Sequence, residues 1–204
     1  MKIKEELKKV EEKYLQLRNP YIKYIEQEKN EKQLEGILEI NEKKQLEKWT
    51  NKKCGEILFD SDKDDWNENT SVFDDRLMNK SNLIFIVEDT NGNKFGGYIT
   101  SKIEKYDSYI NDEKAFVFSL KSNNRLKRMK KFHIAEPKYA FLLFQKSNQY
   151  DLFRIGRNDI GVYKMNRFNG GTVIHHTFDY KGYKDILRID GDFTMKRFIV
   201  IQMK

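Results

Sequence analysis

The chain holds one cysteine, Cys54, and two prolines among its 204 residues. A single thiol cannot close an internal disulfide, so the fold must rest on its core, and a reducing compartment is expected, cytoplasmic or nuclear. No apolar run approaches the roughly 18 residues of a membrane span, and the mean hydropathy is −0.82. The charged opening Met1-Lys2-Ile3-Lys4-Glu5-Glu6 lacks the apolar stretch of a secretory leader, and none is expected. Histidine is scarce too: His133, His175 and His176 are the three. Adjacent strand positions point to opposite faces, so His175 and His176 cannot share one metal from a regular strand, and without an H-E-x-x-H pair zinc is not expected. No G-x-S-x-G elbow or P-loop occurs, and Gly92, Gly96 and Gly97 do not fit G-x-G-x-x-G. The expectation is a protein without catalytic set or cofactor.

What is present is charge and aromatic bulk. Charged residues make up 35% and aromatics 13%, with a net charge of +7. The aromatics can fill a core; the positive charge points to a polyanion partner or to lysine-rich composition alone.

The stretch Leu83 to Ile99 specifies its own structure most fully, as a β-hairpin turning at Asn91-Gly92. A two-residue type I′ turn there pairs Thr90 with Asn93, Val87 with Gly96, Ile86 with Gly97 and Ile84 with Ile99. Apolar residues then lie on both faces, so the hairpin should be covered on both sides. The Gly96-Gly97 pair should admit another element closely.

Residues 1–45 read as a helical arm. Ile3, Leu7, Val10, Tyr14 and Leu17 alternate spacings of four and three, a two-heptad seam suited to a coiled coil or to partner docking, or else to folding back on the domain. Pro20 should stop or kink this helix, with a second from about Tyr21 to Lys48. Residues 46–204 form the domain. Strands are expected at Gly55–Phe59, Ala115–Leu120, Tyr139–Phe144, Leu152–Ile155, Ile160–Tyr163, Val173–Phe178 and Arg197–Gln202, with a chain break at Gly170-Gly171 and a short helix capped by Ser71. The fold class is mainly β with flanking helices (α+β), an antiparallel two-sheet β-sandwich behind a helical N-terminal arm.

Three stretches offer chemistry. Asp60-Ser61-Asp62-Lys63-Asp64 opens like a calcium loop but has Asp65 at the sharp-turn glycine and Ser71 at the bidentate glutamate, which favours a solvated acidic loop. Cys54, beside Lys52 and Lys53, is either a redox thiol of lowered pKa or an inert cysteine. The basic segment Lys121 to Lys131 is the candidate contact for an anionic partner. Leu126, Met129 and Phe132 at spacing three suggest a helix anchored on the domain, with Arg125, Lys127, Arg128, Lys130 and Lys131 as candidate contacts to an anionic partner, DNA among the alternatives.

In order, Ile57-Leu58-Phe59-Asp60-Ser61, the hairpin with Phe95-Gly96-Gly97-Tyr98, Ala115-Phe116-Val117-Phe118-Ser119-Leu120, Phe153-Arg154-Ile155-Gly156, Thr177-Phe178 and Phe198-Ile199-Val200-Ile201 resemble the TLDc domain of the oxidation-resistance family over residues 46–204. His175 stands where that family usually has Cys, and Gln202-Met203-Lys204 where it has an acidic residue, an aliphatic and Trp. The resemblance implies a β-sandwich flanked by short helices, a cytoplasmic or nuclear role in resistance to oxidative stress, and binding to the vacuolar proton-pumping ATPase. It supplies no catalytic residues. The expected function is non-enzymatic protein interaction, with a DNA-binding stress regulator as the alternative; the arm is a candidate for self-association.

Overall fold

The computed structural model describes residues 2–164, 170–172, 177–183, 187 and 191–204. Two compact units divide the chain, Met1–Lys43 and Lys44–Lys204.

In the first unit, helix α1 runs without interruption over Lys2–Leu34. It passes through Pro20, against the expected stop or second helix at Tyr21. A proline inside a helix costs about 3 kcal/mol and one donor, and the Glu, Lys, Gln and Leu residues around it are strong helix formers. The break falls later, where Leu38 N closes onto Leu34 O at 3.1 Å. Helix α2, Ile40–Thr50, then starts with Glu42 Oε2 accepting from Glu39 N at 2.9 Å. Along α1, Leu7, Val10, Tyr14 and Leu17 are exposed. Among the described residues, no helix is long and apolar enough to cross a membrane.

The second unit is a sandwich of two antiparallel sheets. One sheet contains β1 (Cys54–Asp60), β2 (Leu83–Asp89), β3 (Lys94–Ile99), β4 (Phe116–Lys121), β5 (Lys130–His133) and β11 (Met195–Met203), in the order β1-β11-β2-β3-β4-β5. The other contains β6 (Phe141–Leu143), β7 (Asp151–Ile155), β8 (Ile160–Tyr163), β9 (Gly170–Thr172) and β10 (Gly191–Phe193), in the order β10-β9-β8-β7-β6. The predicted break at Gly170-Gly171 is therefore the strand β9, paired with both β8 and β10. The predicted strand Val173–Phe178 lies mostly outside the described residues, as do His175 and His176.

The hairpin is present with its register shifted by one residue from the expected pairing. Val87 opposes Phe95, Ile86 opposes Gly96, Phe85 opposes Gly97 and Ile84 opposes Tyr98. The reason lies in the turn. Of its residues only Gly92 takes a positive φ, of 78°, whereas a type I′ turn needs two such residues. Asp89 N donates to Asn93 O at 3.1 Å and Gly92 N to Asp89 O at 3.0 Å, enclosing the three residues Thr90, Asn91 and Gly92. This is a three-residue loop with a left-handed glycine.

Both faces of the hairpin are covered, as the apolar pattern requires. Leu83, Phe85, Val87, Phe95 and Ile99 join the core between the sheets, where Phe85 packs on Phe141 and Phe153, each at 4.9 Å between ring centroids. Gly97 admits the second sheet: a Cβ there would meet Ile155 Cδ1 at 2.9 Å. On the far face, Trp49 lies 6.3 Å from the Phe116 ring and 5.9 Å from Phe118. At the start of the domain, Phe73, on the short helix α3 (Phe73–Leu77), stacks on Phe153 at 5.3 Å and joins Phe59 and Phe198. Val72, not Ser71, occupies the cap of α3; the Ser71 hydroxyl sits one residue earlier and accepts from Phe73 N at 3.2 Å.

Candidate functional site

The turn of the hairpin also anchors the basic segment. The Asp89 carboxylate is fully buried and accepts from Asn93 N at 2.9 Å and Asn93 Nδ2 at 2.7 Å. That fixes the Asn93 amide with its oxygen outward, where it accepts from Arg125 Nη2 at 2.9 Å. Asn123 Nδ2 donates to Asn91 O at 2.6 Å. The loop between β4 and β5 is thus tied to the turn at two points, and Ser122 Oγ closes it internally by accepting from Leu126 N at 2.9 Å.

The predicted basic helix is absent: residues 122–129 form turns and bends, and β5 follows. The spacing of Leu126 and Phe132 reflects two separate inward contacts. Leu126 packs on the core from the loop, and Phe132 is buried from a strand.

The cations of the segment divide into two groups. Arg125 donates to Asn93 and, at 3.3 Å, to Leu187 O. Lys130 sits 3.5 Å above the Tyr183 ring, and its hydrogen bond and charge hold the Tyr183 phenol below its usual pKa. Lys131 lies over Phe116 at 4.8 Å, and burial pulls its ammonium down. These three serve the fold. Lys121, Lys127 and Arg128 make no side-chain hydrogen bond or ion pair among the described residues. They border a cleft of about 410 Å³ between the end of β4 and the loop. Ser119 contributes to its lining; this side chain is buried, and among the described residues its hydroxyl has no hydrogen-bond partner.

His133 is exposed on β5, and its pKa is lowered by partial burial and by the charges of Lys131 and Lys181, against Asp179. Cys54 is half-buried at the start of β1. Its backbone N donates to Glu47 Oε1 at 3.2 Å, and Lys53 Nζ pairs with Glu47 Oε2 at 3.0 Å. Glu47 therefore ties the Cys54 backbone to the Lys53 ammonium through its two carboxylate oxygens.

The acidic loop is a structural clamp. Arg197 grips both oxygens of Asp60, at 2.9 and 2.7 Å, and reaches Asp62 Oδ2 at 3.1 Å. Asp64 Oδ2 accepts from Asp60 N at 2.9 Å. Burial works against the Asp60 carboxylate, yet the hydrogen bonds from Arg197 and the Asp62 amide and the charges of Arg197 and Lys63 outweigh it and hold its pKa below the usual value. Among the described residues no group of three or more His, Cys, Asp or Glu could hold a metal ion.

Two polar centres carry no signal in the sequence. Lys164 is buried and donates to Glu68 O at 2.8 Å, Lys146 O at 2.7 Å and Asn148 O. Asp112 accepts from Thr100 Oγ1 at 2.6 Å, from Ser101 N at 2.9 Å and from Lys114 N at 3.0 Å. Both stitch loops together through backbone groups, which no residue spacing announces.

Comparison with curated proteins gave no match. The family model described as "TLDc domain" matches residues 29–198, a span that runs from the last turns of α1 into β11 and takes in both sheets. With its sandwich fold and a match over most of its length, the chain belongs to the TLDc domain family.

Proposed function

We propose that the chain is a non-enzymatic protein-interaction module of oxidative-stress resistance that acts by binding the vacuolar proton-pumping ATPase. Membership of the TLDc family supports the stress role. The observation that carries the docking role is the display on α1: Leu7, Val10, Tyr14, Leu17 and Tyr21 are 58 to 69% exposed along one uninterrupted helix. Apolar residues at this spacing suit burial against a partner helix or groove. The flanking charges bear on which partner. In a parallel pair of α1 helices, Glu6 would face Glu11 of the second copy and Lys13 would face Arg18, so like charges oppose self-pairing and favour a foreign surface.

Affinity capture from lysate with the full chain, with the chain lacking residues 1–45 and with Leu7→Ser/Val10→Ser/Leu17→Ser tests this reading. Proton-pump subunits should come down with the full chain and be lost with the other two. Their absence from the full-chain capture, together with unchanged peroxide sensitivity on knockdown, overturns it.

A further inference from the structure

We infer that the cleft beside the β4–β5 loop is a binding site for a compact phosphate-bearing small molecule. This is separate from the docking role of α1 and uses none of its residues.

The first ground is uncompensated charge. In a chain with 32 acidic residues, the cleft lining includes, among the described residues, Lys121, Lys127 and Arg128 and no carboxylate. None of the three makes a side-chain hydrogen bond or ion pair among the described residues, Arg128 acting only through its charge on the Tyr183 phenol, whereas Arg125, Lys130 and Lys131 of the same segment are all engaged. Like charges converging on one concavity repel, and a bound anion relieves that repulsion.

The second ground is an unsatisfied buried group. Ser119, 1% exposed, contributes to the lining, and its hydroxyl makes no hydrogen bond among the described residues. Buried hydroxyls are nearly always paired, and leaving one unpaired costs about 1–3 kcal/mol. A phosphate oxygen is an acceptor suited to it once the Ser119 side chain turns from its buried position toward the cleft. The Asn124 side chain in the same lining also makes no hydrogen bond among the described residues.

The third ground is preorganisation. The bonds from Asn123 to Asn91 and from Arg125 to Asn93 hold the loop against the hairpin turn before any ligand arrives, which lowers the ordering cost of binding.

Shape then selects the ligand class. A volume of about 410 Å³ lies within the range of small-molecule sites. Loss of the predicted helix, with half of its cations turned to the fold, leaves no extended basic face for a duplex. The guanidinium fork of Arg128 and the point charges of the lysines match the oxygens of a phosphomonoester or polyphosphate. A soluble phosphorylated metabolite and a phosphorylated lipid headgroup share this chemistry.

The test uses the full chain in three arms: calorimetric titration with inorganic pyrophosphate, cosedimentation with phosphatidylcholine vesicles with and without phosphatidylinositol bisphosphate, and titration with a duplex oligonucleotide. Saturable binding of pyrophosphate or of the phosphoinositide vesicles is expected. Lys127→Gln/Arg128→Gln should weaken it about tenfold, and Ser119→Ala about threefold, with an unchanged or raised Tm because the latter removes an unpaired buried hydroxyl. Recruitment to phosphoinositide vesicles that pyrophosphate displaces assigns a lipid headgroup; pyrophosphate binding without recruitment assigns a soluble ligand. The proposal is overturned by no saturable binding in the first two arms, by binding that the exposed Lys127/Arg128 variant leaves unchanged, or by duplex binding tighter than pyrophosphate. Pump capture by α1 is unaffected by any of these results.

Discussion

Arg125 reaches back 32 residues to donate, through Nη2, to Asn93 Oδ1 at 2.9 Å. The same Asn93 is held by the buried Asp89 carboxylate, so one cation of the basic segment is spent on the hairpin turn. Arg125→Ala should cost about 2 kcal/mol, the scale of a charged hydrogen bond, and lower Tm by roughly 4–8 °C for a domain of this size. Lys127→Ala, at an exposed and unpaired side chain, should stay within about 0.5 kcal/mol. Thermal melts of the two variants check the division of the segment; equal effects would refute it.

The adjacent glycines of β3 should respond differently to the same change. A Cβ on Gly96 would run into the Phe85 backbone carbonyl, with Phe118 Cζ at 3.0 Å, whereas on Gly97 it would meet the end of the Ile155 side chain, Cδ1 at 2.9 Å. Backbone cannot yield as a flexible side chain can. Gly96→Ala should cost more than about 3 kcal/mol and Gly97→Ala about 1 kcal/mol. Urea unfolding of both variants gives the ranking, and a costlier Gly97→Ala would contradict the observed register.

The Asp60–Arg197 clamp carries a pH signature. The Asp60 carboxylate has a folded pKa below its unfolded value. Its contribution is therefore fully present above the unfolded value and is lost as pH falls through the folded one, below about pH 4. Arg197→Ala leaves a nearly buried carboxylate with only the exposed Lys63 ammonium at 3.5 Å and the Asp62 amide as partners, and should cost about 2 kcal/mol at pH 7. Wild-type and variant stabilities should converge on acidification, and a gap that stays constant down to pH 3 would show that the charge pair is not its source.

Lys164→Met keeps the length of the buried side chain and removes its three donors. Glu68 O, Lys146 O and Asn148 O then lose a partner together, so a loss of about 2–4 kcal/mol is expected. Hydrogen exchange should quicken at residues 146–151 before the rest of the sheet. A neutral substitution would mean that water replaces the ammonium at no cost.

The two-sheet architecture and most strands were legible because apolar runs and turn residues announce them locally. Leu152 to Ile155 and Ile160 to Tyr163 lie within one residue of β7 and β8. The hairpin was legible, its register less so: Asn91-Gly92 suits a type I′ turn, and only the Asp89–Asn93 bonds select the three-residue loop. The path of α1 through Pro20 went unread because the sequence shows the lost donor but not the surrounding helix that tolerates it. At the basic segment, spacing three mimicked a helix, although Leu126 and Phe132 reach the core from different elements. The cleft, the unpaired Ser119 hydroxyl and the Lys164 carbonyl cage depend on residues far apart in the chain, which composition and periodicity do not bring together.

The place of β11 has a consequence for biosynthesis. This strand lies between β1 and β2, which do not pair with each other. A ribosome-bound nascent chain that has released β1 through β10 still lacks the strand joining them, and both interior edges stay open until residues 195–203 emerge. Closure of this sheet therefore waits until β11 has followed β10 out of the ribosome, leaving an interval in which unpaired strand edges invite chaperone capture.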